Sequence, residues 1–355
     1  MRYGVRVGQV QAYKFFYLLL AMSGVVIALH PAPWTIALIG LTGVLSTDAN
    51  ENGPATTLEQ SMLAGDNHSS KFVKIFGRYN GVAASCGAMG ALIQGWLSHL
   101  HSFSNTYIGF YLLVPLGVIG WKLADSLNFP RPADAADAAD AADAAGTTTT
   151  TGTGKQNRGL KNSSARRSII QLSTLFAFDS AAGGLTTSAW LSYYLTMRYH
   201  TSASLLGYLF FSFAILSALS MFIAPLVASR IGLVLTMVTT HLASNCFFII
   251  AALCGNLTLA IFFLMLRASL SQMDIPTRQA LIMVVVPQED RMAAAAITNA
   301  ARYSLRPVAP TISAGLQHLA LGAPLVAAGS VKLIYDFAIL LWAKKGKYLT
   351  RNLHG

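Results

Sequence analysis

The chain has 355 residues, of which 54% are hydrophobic and only 11% charged, and its mean hydropathy is +0.51. Soluble domains carry about 25% charged residues, so this composition excludes an ordinary soluble domain and fits a polytopic membrane protein. The net charge of +11 and the pI near 9.7 do not mark a nucleic-acid binder, because no basic stripe is interleaved with stacking aromatics.

A hydrocarbon core about 30 Å thick needs about 20 residues per crossing helix. On that measure ten spans are predicted, at 11–30, 34–52, 79–99, 106–127, 169–199, 204–228, 233–254, 257–273, 293–319 and 324–343. The first pairs "QAYKFF" with "YLLLAMSGVVIAL", as a secretory leader would. No A-x-A site follows, and further spans come directly after it. The second has a continuous apolar run, "WTIALIGLTGVL", too short to cross alone, that continues into "STDANENGPATTLEQ". Either the helix ends inside the membrane, or Asp48 and Glu51 face protein or water. Glu59, further on, is expected at an exposed cytoplasmic mouth.

After the fourth span, residues 131–167 form an Ala-Ala-Asp repeat, a Thr run and a basic patch. This segment cannot bury a core and is expected to be a disordered linker. Asp134, Asp137, Asp140 and Asp143 are read as a solvated spacer rather than a metal site. The expected organisation is therefore a first half at 1–127, a cytoplasmic linker at 128–168, a six-span half at 169–343 and a basic tail at 344–355.

Ionisable groups within a span are costly, so each is a functional candidate. Asp179, in "TLFAFDSAAGG", lies in an apolar helix beside small residues that permit close packing, and could take a proton or a cationic solute. The competing reading is a structural hydrogen bond to a neighbouring helix. His241 and Asn245 are spaced i, i+4, and such a lone His fits a helix–helix hydrogen bond best. Arg267 and Asp274 are two turns apart and share a helix face, either as a site or as an internal ion pair. Pro276 is expected to end that helix, just before Arg278. Arg302 and Arg306, again i, i+4, could attract an anionic group, and Pro307 and Pro310 predict a kink beside them. Cys86, Cys246 and Cys254 form no C-x-x-C and read as small packing residues.

The basic residues set an orientation. With ten spans and Met1 inside, only Arg198 lies near the outer loops, while the inner loops and tails hold nineteen, from Arg2 and Arg6 to Lys347 and Arg351. Both termini are therefore expected in the cytoplasm, where Asn67 and Asn162 would stay unglycosylated.

Three weak internal matches occur in the same order in both halves. Arg2-x-Gly4 answers Arg230-x-Gly232, "GPATTLEQSML" answers "IPTRQALIMVV", and "GRYNGVAAS" answers "AITNAARYS". The second copy of the first match is preceded by two spans and the first copy by none, so the repeat predicts six plus six helices with the first two absent.

These features resemble the major facilitator superfamily, whose halves of six helices are joined by a cytoplasmic linker. Its G-x-L-a-D-R-x-G-[RK] gating loop is similar to 224–232, where Leu226, Arg230 and Gly232 match and Ala224 and Ser229 replace the Gly and Asp. Arg2 and Gly4 match the end of an earlier copy. The resemblance implies an all-α bundle in two pseudo-symmetric halves, with these spans corresponding to family helices 3 to 12. It also implies a cavity lined by the spans starting at Trp34, Ile169 and Leu257.

No Walker A, H-E-x-x-H or G-x-S-x-G motif is present, so neither an enzyme nor a cofactor is expected. The first reading is a monomeric secondary active transporter of a small solute, coupled to protons and embedded in the lipid bilayer, with the plasma membrane favoured. Its candidate site residues are Asp179, Glu51, Asp48, Arg267, Asp274 and Arg302, with Arg2, Gly4, Arg230 and Gly232 in the gating loops. The alternative is a non-transporting truncated membrane protein that acts by pairing with another chain.

Overall fold

The computed structural model describes residues 9–29, 32, 34–35, 38–39, 53–64, 71–100, 110–124 and 163–346. The expectations placed on Arg2, Gly4, Asp48, Glu51, Asn67, Asn162 and the linker up to 162 lie outside the described residues. Among the described residues every regular element is helical. They are α1 (Gln9–Ala28), α2 (Gly53–Ala64), α3 (Phe72–Leu100), α4 (Leu113–Leu123), α5 (Ser163–Gly184), α6 (Ser188–Tyr199) and α7 (Ala203–Ile231). They continue as α8 (Leu233–Leu253), α9 (Leu257–Ser271), α10 (Asp274–Val285), α11 (Arg291–Leu305), α12 (Ala309–Leu316) and α13 (Ala323–Lys345). Five of the described stretches are long and apolar enough to cross a bilayer, among them 204–231, Leu233–Leu253 and Ala323–Lys345. The protein is an all-α, multi-pass membrane protein.

The fifth and ninth predicted spans are broken helices, and the eighth is followed at once by a further helix. The fifth divides into α5 and α6 at 185–187, where the Thr187 side chain caps α6 by accepting from the Trp190 amide. The eighth ends at Ser271, and a second helix starts at Asp274. Pro276 thus lies in the first turn of α10 instead of ending the helix. A missing N–H costs nothing there, because the first-turn amides have no intrahelical partner. The expected kink near Pro307 is present as a 3-10 turn over Arg306–Val308 between α11 and α12. Helix α5 starts at Ser163, ahead of the expected residue 169.

The described helices form two packed units. In the first, α1 lies on α4 through glycines. A Cβ on Gly117 would come within 2.8 Å of the Ala21 Cβ, and one on Gly120 would enter the Tyr17 ring. Lys14 sits over the Trp121 ring at 4.9 Å.

The second unit holds α5 to α13 together with most of α3 and the end of α2. Helix α3 meets α7 across Gly77 and Gly81, a small-xxx-small pair of the kind that lets membrane helices touch backbone to backbone. A Cβ on Gly77 would lie 2.8 Å from the Met221 carbonyl, and one on Gly81 would strike the Phe222 ring.

The core of this unit is two apolar clusters. One gathers Phe72, Phe76, Phe176, Met237, Val238, Met283, Tyr335 and Ile339. The other gathers Tyr194, Leu195, Leu209, Phe248, Leu264, Leu325 and Ala328. Helices α8 and α13 run through both, and α5 leads from the first to Leu185 of the second, just past its end. Each carries its charged residue (Asp179, His241, Lys332) between its contributions to the two clusters.

Candidate functional site: a buried charge cluster on four helices

The close approach of α5, α8 and α13 begins with small residues. Gly329 brings α13 against α8, since a Cβ there would meet the Ile249 side chain at 2.5 Å. Lys332 and Asp336 follow at i+3 and i+7 and so point the same way. Gly183 leaves room on α5, where a Cβ would lie 3.9 Å from the Lys332 Nζ.

Asp179 stands at the centre and is 4% exposed. Lys332 Nζ donates to its Oδ1 at 2.8 Å. His241 Nε2 is 3.6 Å from the same oxygen, and an Arg278 guanidinium nitrogen is 3.6 Å from Oδ2. The same Arg278 nitrogen donates to Asp274 Oδ2 at 2.9 Å, an i, i+4 pair within α10. On its other side the His241 Nδ1 is 2.7 Å from Asp336 Oδ1. Asn245 Nδ2 donates to Asp336 Oδ2 at 3.1 Å. The Tyr335 ring packs edge-on against the imidazole at 5.7 Å, and the Phe176 ring faces Arg278 at 5.8 Å.

Three carboxylates thus meet two permanent cations and one imidazole, all buried. With a neutral imidazole the cluster carries one net negative charge; with His241 protonated it is balanced. One proton gained or lost at the His241 imidazole switches the cluster between these two charge states. Asp179, His241 and Asp274 also bring ligand atoms within 4.8 Å of one another, as a metal site would. Both carboxylates already bear cationic side chains, so ion pairing accounts for this grouping.

The remaining candidates are placed as follows. Arg267 does not pair with Asp274. It lies over the Phe248 ring at 4.0 Å, while Asp274 turns to Arg278, because the break at 272–273 takes the two residues out of one continuous helix. Arg302 is buried on α11 and forms no ion pair with Asp179. Glu59 is not an exposed residue at a mouth; it is half-buried and accepts from the Tyr79 hydroxyl. His241 is the helix–helix hydrogen bonder expected, but its second nitrogen faces Asp179. Arg230 is exposed in the last turn of α7. Gly232 joins α7 to α8 with φ 88°, a conformation that side-chain-bearing residues rarely adopt.

Sequence reasoning passed over Lys332 and Asp336, although "SVKLIYDFA" places both within an apolar span and invites the same argument that singled out Asp179. It also passed over two amide bridges. Asn80 Nδ2 on α3 donates to Gln279 Oε1 on α10 at 2.6 Å, and Asn299 Nδ2 on α11 donates to Gln60 Oε1 on α2 at 3.4 Å. The internal repeat pairs α2 with α10 and α3 with α11. The repeat matches Asn80 to Asn299, but it sets Gln279 opposite Thr57, three residues before Gln60, so the two bridges join corresponding helices through the same asparagine with the glutamine displaced by about one turn.

No family model matches the sequence. An uncharacterized membrane protein of Saccharomyces cerevisiae, YJR124C, is 25% identical over 313 residues, which cover 82% of this chain and 70% of that protein. Three solved transporters are similar in structure. The proton:xylose symporter XylE matches with a TM-score of 0.72 at 13% identity, over 96% of this chain and 81% of its own. The human organic anion transporter MFSD10 gives 0.65 at 16% identity, over 95% and 79%. A bacterial homologue of the iron transporter ferroportin, in an outward-facing state, gives 0.61 at 13% identity, over 95% and 83%. The chain has the fold of the major facilitator superfamily.

Proposed function

We propose that the protein moves a small solute across its membrane by alternating access, coupled to proton movement at the Asp179–His241–Asp336 cluster. The observation that carries this reading is the charge count of that cluster: one carboxylate more than its permanent cations, and an imidazole placed between two of the carboxylates. Burying so many ionised groups in a membrane span is costly and serves no packing need, since apolar side chains of similar volume would hold the helices together as well or better. A proton arriving at His241 neutralises the excess charge without moving a helix. Asp179 then meets a cation on every side, through Lys332, Arg278 and His241. Such a change can bias one packing of the helices against another. Asp274 and Arg278 extend the cluster onto α10, which also carries Gln279 of the amide bridge. Arg230 and Gly232 are assigned to the gating loop between α7 and α8, with both termini in the cytoplasm and the protein acting as a monomer.

The test is reconstitution of the whole chain into liposomes holding a pH-sensitive dye. A solute gradient imposed from a panel of labelled sugars, carboxylates and amines should move protons with one class. His241→Gln should abolish proton movement and flatten the dependence of flux on pH between 5 and 8. Solute flux that persists with an unchanged pH profile in His241→Gln would remove the cluster from the coupling step.

A further inference from the structure

Each carboxylate of the cluster has a cationic or imidazole neighbour, but Arg267 has no carboxylate. Among the described residues no acidic group lies within ion-pair distance of its guanidinium, and its Nε is buried with no hydrogen-bond partner. Its contact is the Phe248 ring at 4.0 Å, which supplies cation–π attraction but accepts no hydrogen bond in the guanidinium plane. A guanidinium offers five donors in a fixed fork that matches a carboxylate, and it cannot shed its charge by deprotonation. Arg267 is half-buried in an apolar span, and leaving its charge there without a counter-charge costs stability that a Leu or Gln would not. A cost of this kind, carried without a structural return, marks a group reserved for a ligand.

The surroundings narrow the chemistry. Phe248 belongs to the apolar cluster that includes Tyr194, Leu195, Leu264 and Leu325. Trp190 packs on the same cluster, and its indole Nε1 is a second buried donor without a partner. Two unpartnered donors and apolar and aromatic neighbours suit an anion with a hydrophobic body. Phe248 follows His241 by seven residues on α8, about 10 Å along the axis. An anion on Arg267 would therefore be distinct from the proton site yet close enough to sense it.

We infer that Arg267 docks the anionic group of the transported solute, which makes the solute a small organic anion with an apolar or aromatic body. The inference rests on the transport reading for the word "transported", but not for binding. The full chain in detergent is melted with matched sets of probes: benzoate, benzamide and benzamidine; hexanoate, hexanamide and hexylamine. The carboxylates should raise the melting temperature, and their amides and amines should not. Arg267→Gln should weaken carboxylate binding about 10–100-fold. The ligand-free variant should melt no lower than the wild type, because a charge without a counter-charge has been removed. Arg267→Lys should keep part of the binding. Equal stabilisation by amides and carboxylates, or carboxylate binding that survives in Arg267→Gln, overturns the inference. Uptake of the same labelled probes into liposomes separates the two readings. Carboxylate binding through Arg267 without flux of any probe would sink transport and leave the anion site. Flux of an amide or amine that ignores Arg267 would sink the anion site and leave transport.

Discussion

Replacing Asp179 with Asn keeps the side chain's shape and removes its charge. No cavity opens, so the whole effect is electrostatic. Lys332 loses its partner at 2.8 Å, and Arg278 and His241 each lose one at 3.6 Å. Breaking a buried pair from one side costs about 3–5 kcal/mol, because a desolvated charge is left uncompensated. Arg278 keeps Asp274 and His241 keeps Asp336, so the stranded ion is Lys332, whose side chain is 11% exposed. Asp179→Asn should therefore destabilise by about 3–5 kcal/mol. Lys332→Met should cost less, since Asp179 retains Arg278 and His241. The double variant should recover most of the loss, with a coupling energy of about 2–3 kcal/mol. Thermal or denaturant unfolding of the four proteins in one detergent gives the cycle. Additivity to within about 0.5 kcal/mol would show that the two side chains do not share a buried pair, and the charge count of the cluster would fall with it.

Two further outcomes test the packing around the cluster. Gly77→Val should destabilise by about 1–3 kcal/mol, since even a Cβ meets the Met221 carbonyl and the Pro225 ring at 2.8 Å, whereas Gly90→Ala on the same helix meets nothing within 4 Å and should be neutral in the same melting assay. Asn80→Leu should cost about 1–3 kcal/mol by stranding the buried Gln279, and Asn80→Leu with Gln279→Leu should return close to wild-type stability.

The single apolar spans were legible in the sequence. Helices α7, α8 and α13 fall within three residues of their expected ends, because a long apolar run has one reading in a membrane. The interruption near Pro307 was legible too, but those at 185–187 and 272–273 were not. Pro276 carries the same local signal whether it closes one helix or opens the next, and only the packing of α10 decides between them. Gly183 and Gly184 stood before the break at 185–187 without marking it, since small residues also serve helix contacts. Of the cluster, Asp179 was legible because a lone carboxylate in an apolar helix is conspicuous. Its partners were not, because Lys332 lies 153 residues further along and nothing local pairs them. Arg267 drew notice as a charge in an apolar span, but the reading that set it on one face with Asp274 assumed a continuous helix.

The two amide bridges have a consequence for how the protein distributes itself between conformations. A neutral hydrogen bond contributes about 0.5–1.5 kcal/mol net, so the pair together holds about 1–3 kcal/mol. That is an equilibrium ratio of roughly 5 to 150. On the proposed alternating access, a fastening of this strength would leave the arrangement that breaks it populated at between about one part in six and one part in 150. A change of one pKa unit at a neighbouring group is worth about 1.4 kcal/mol, the same order as the latch itself. Gln279 follows Arg278 directly on α10. On the proposed transport reading, a single proton in the charge cluster would be large enough, in free energy, to tip the balance that the amides set.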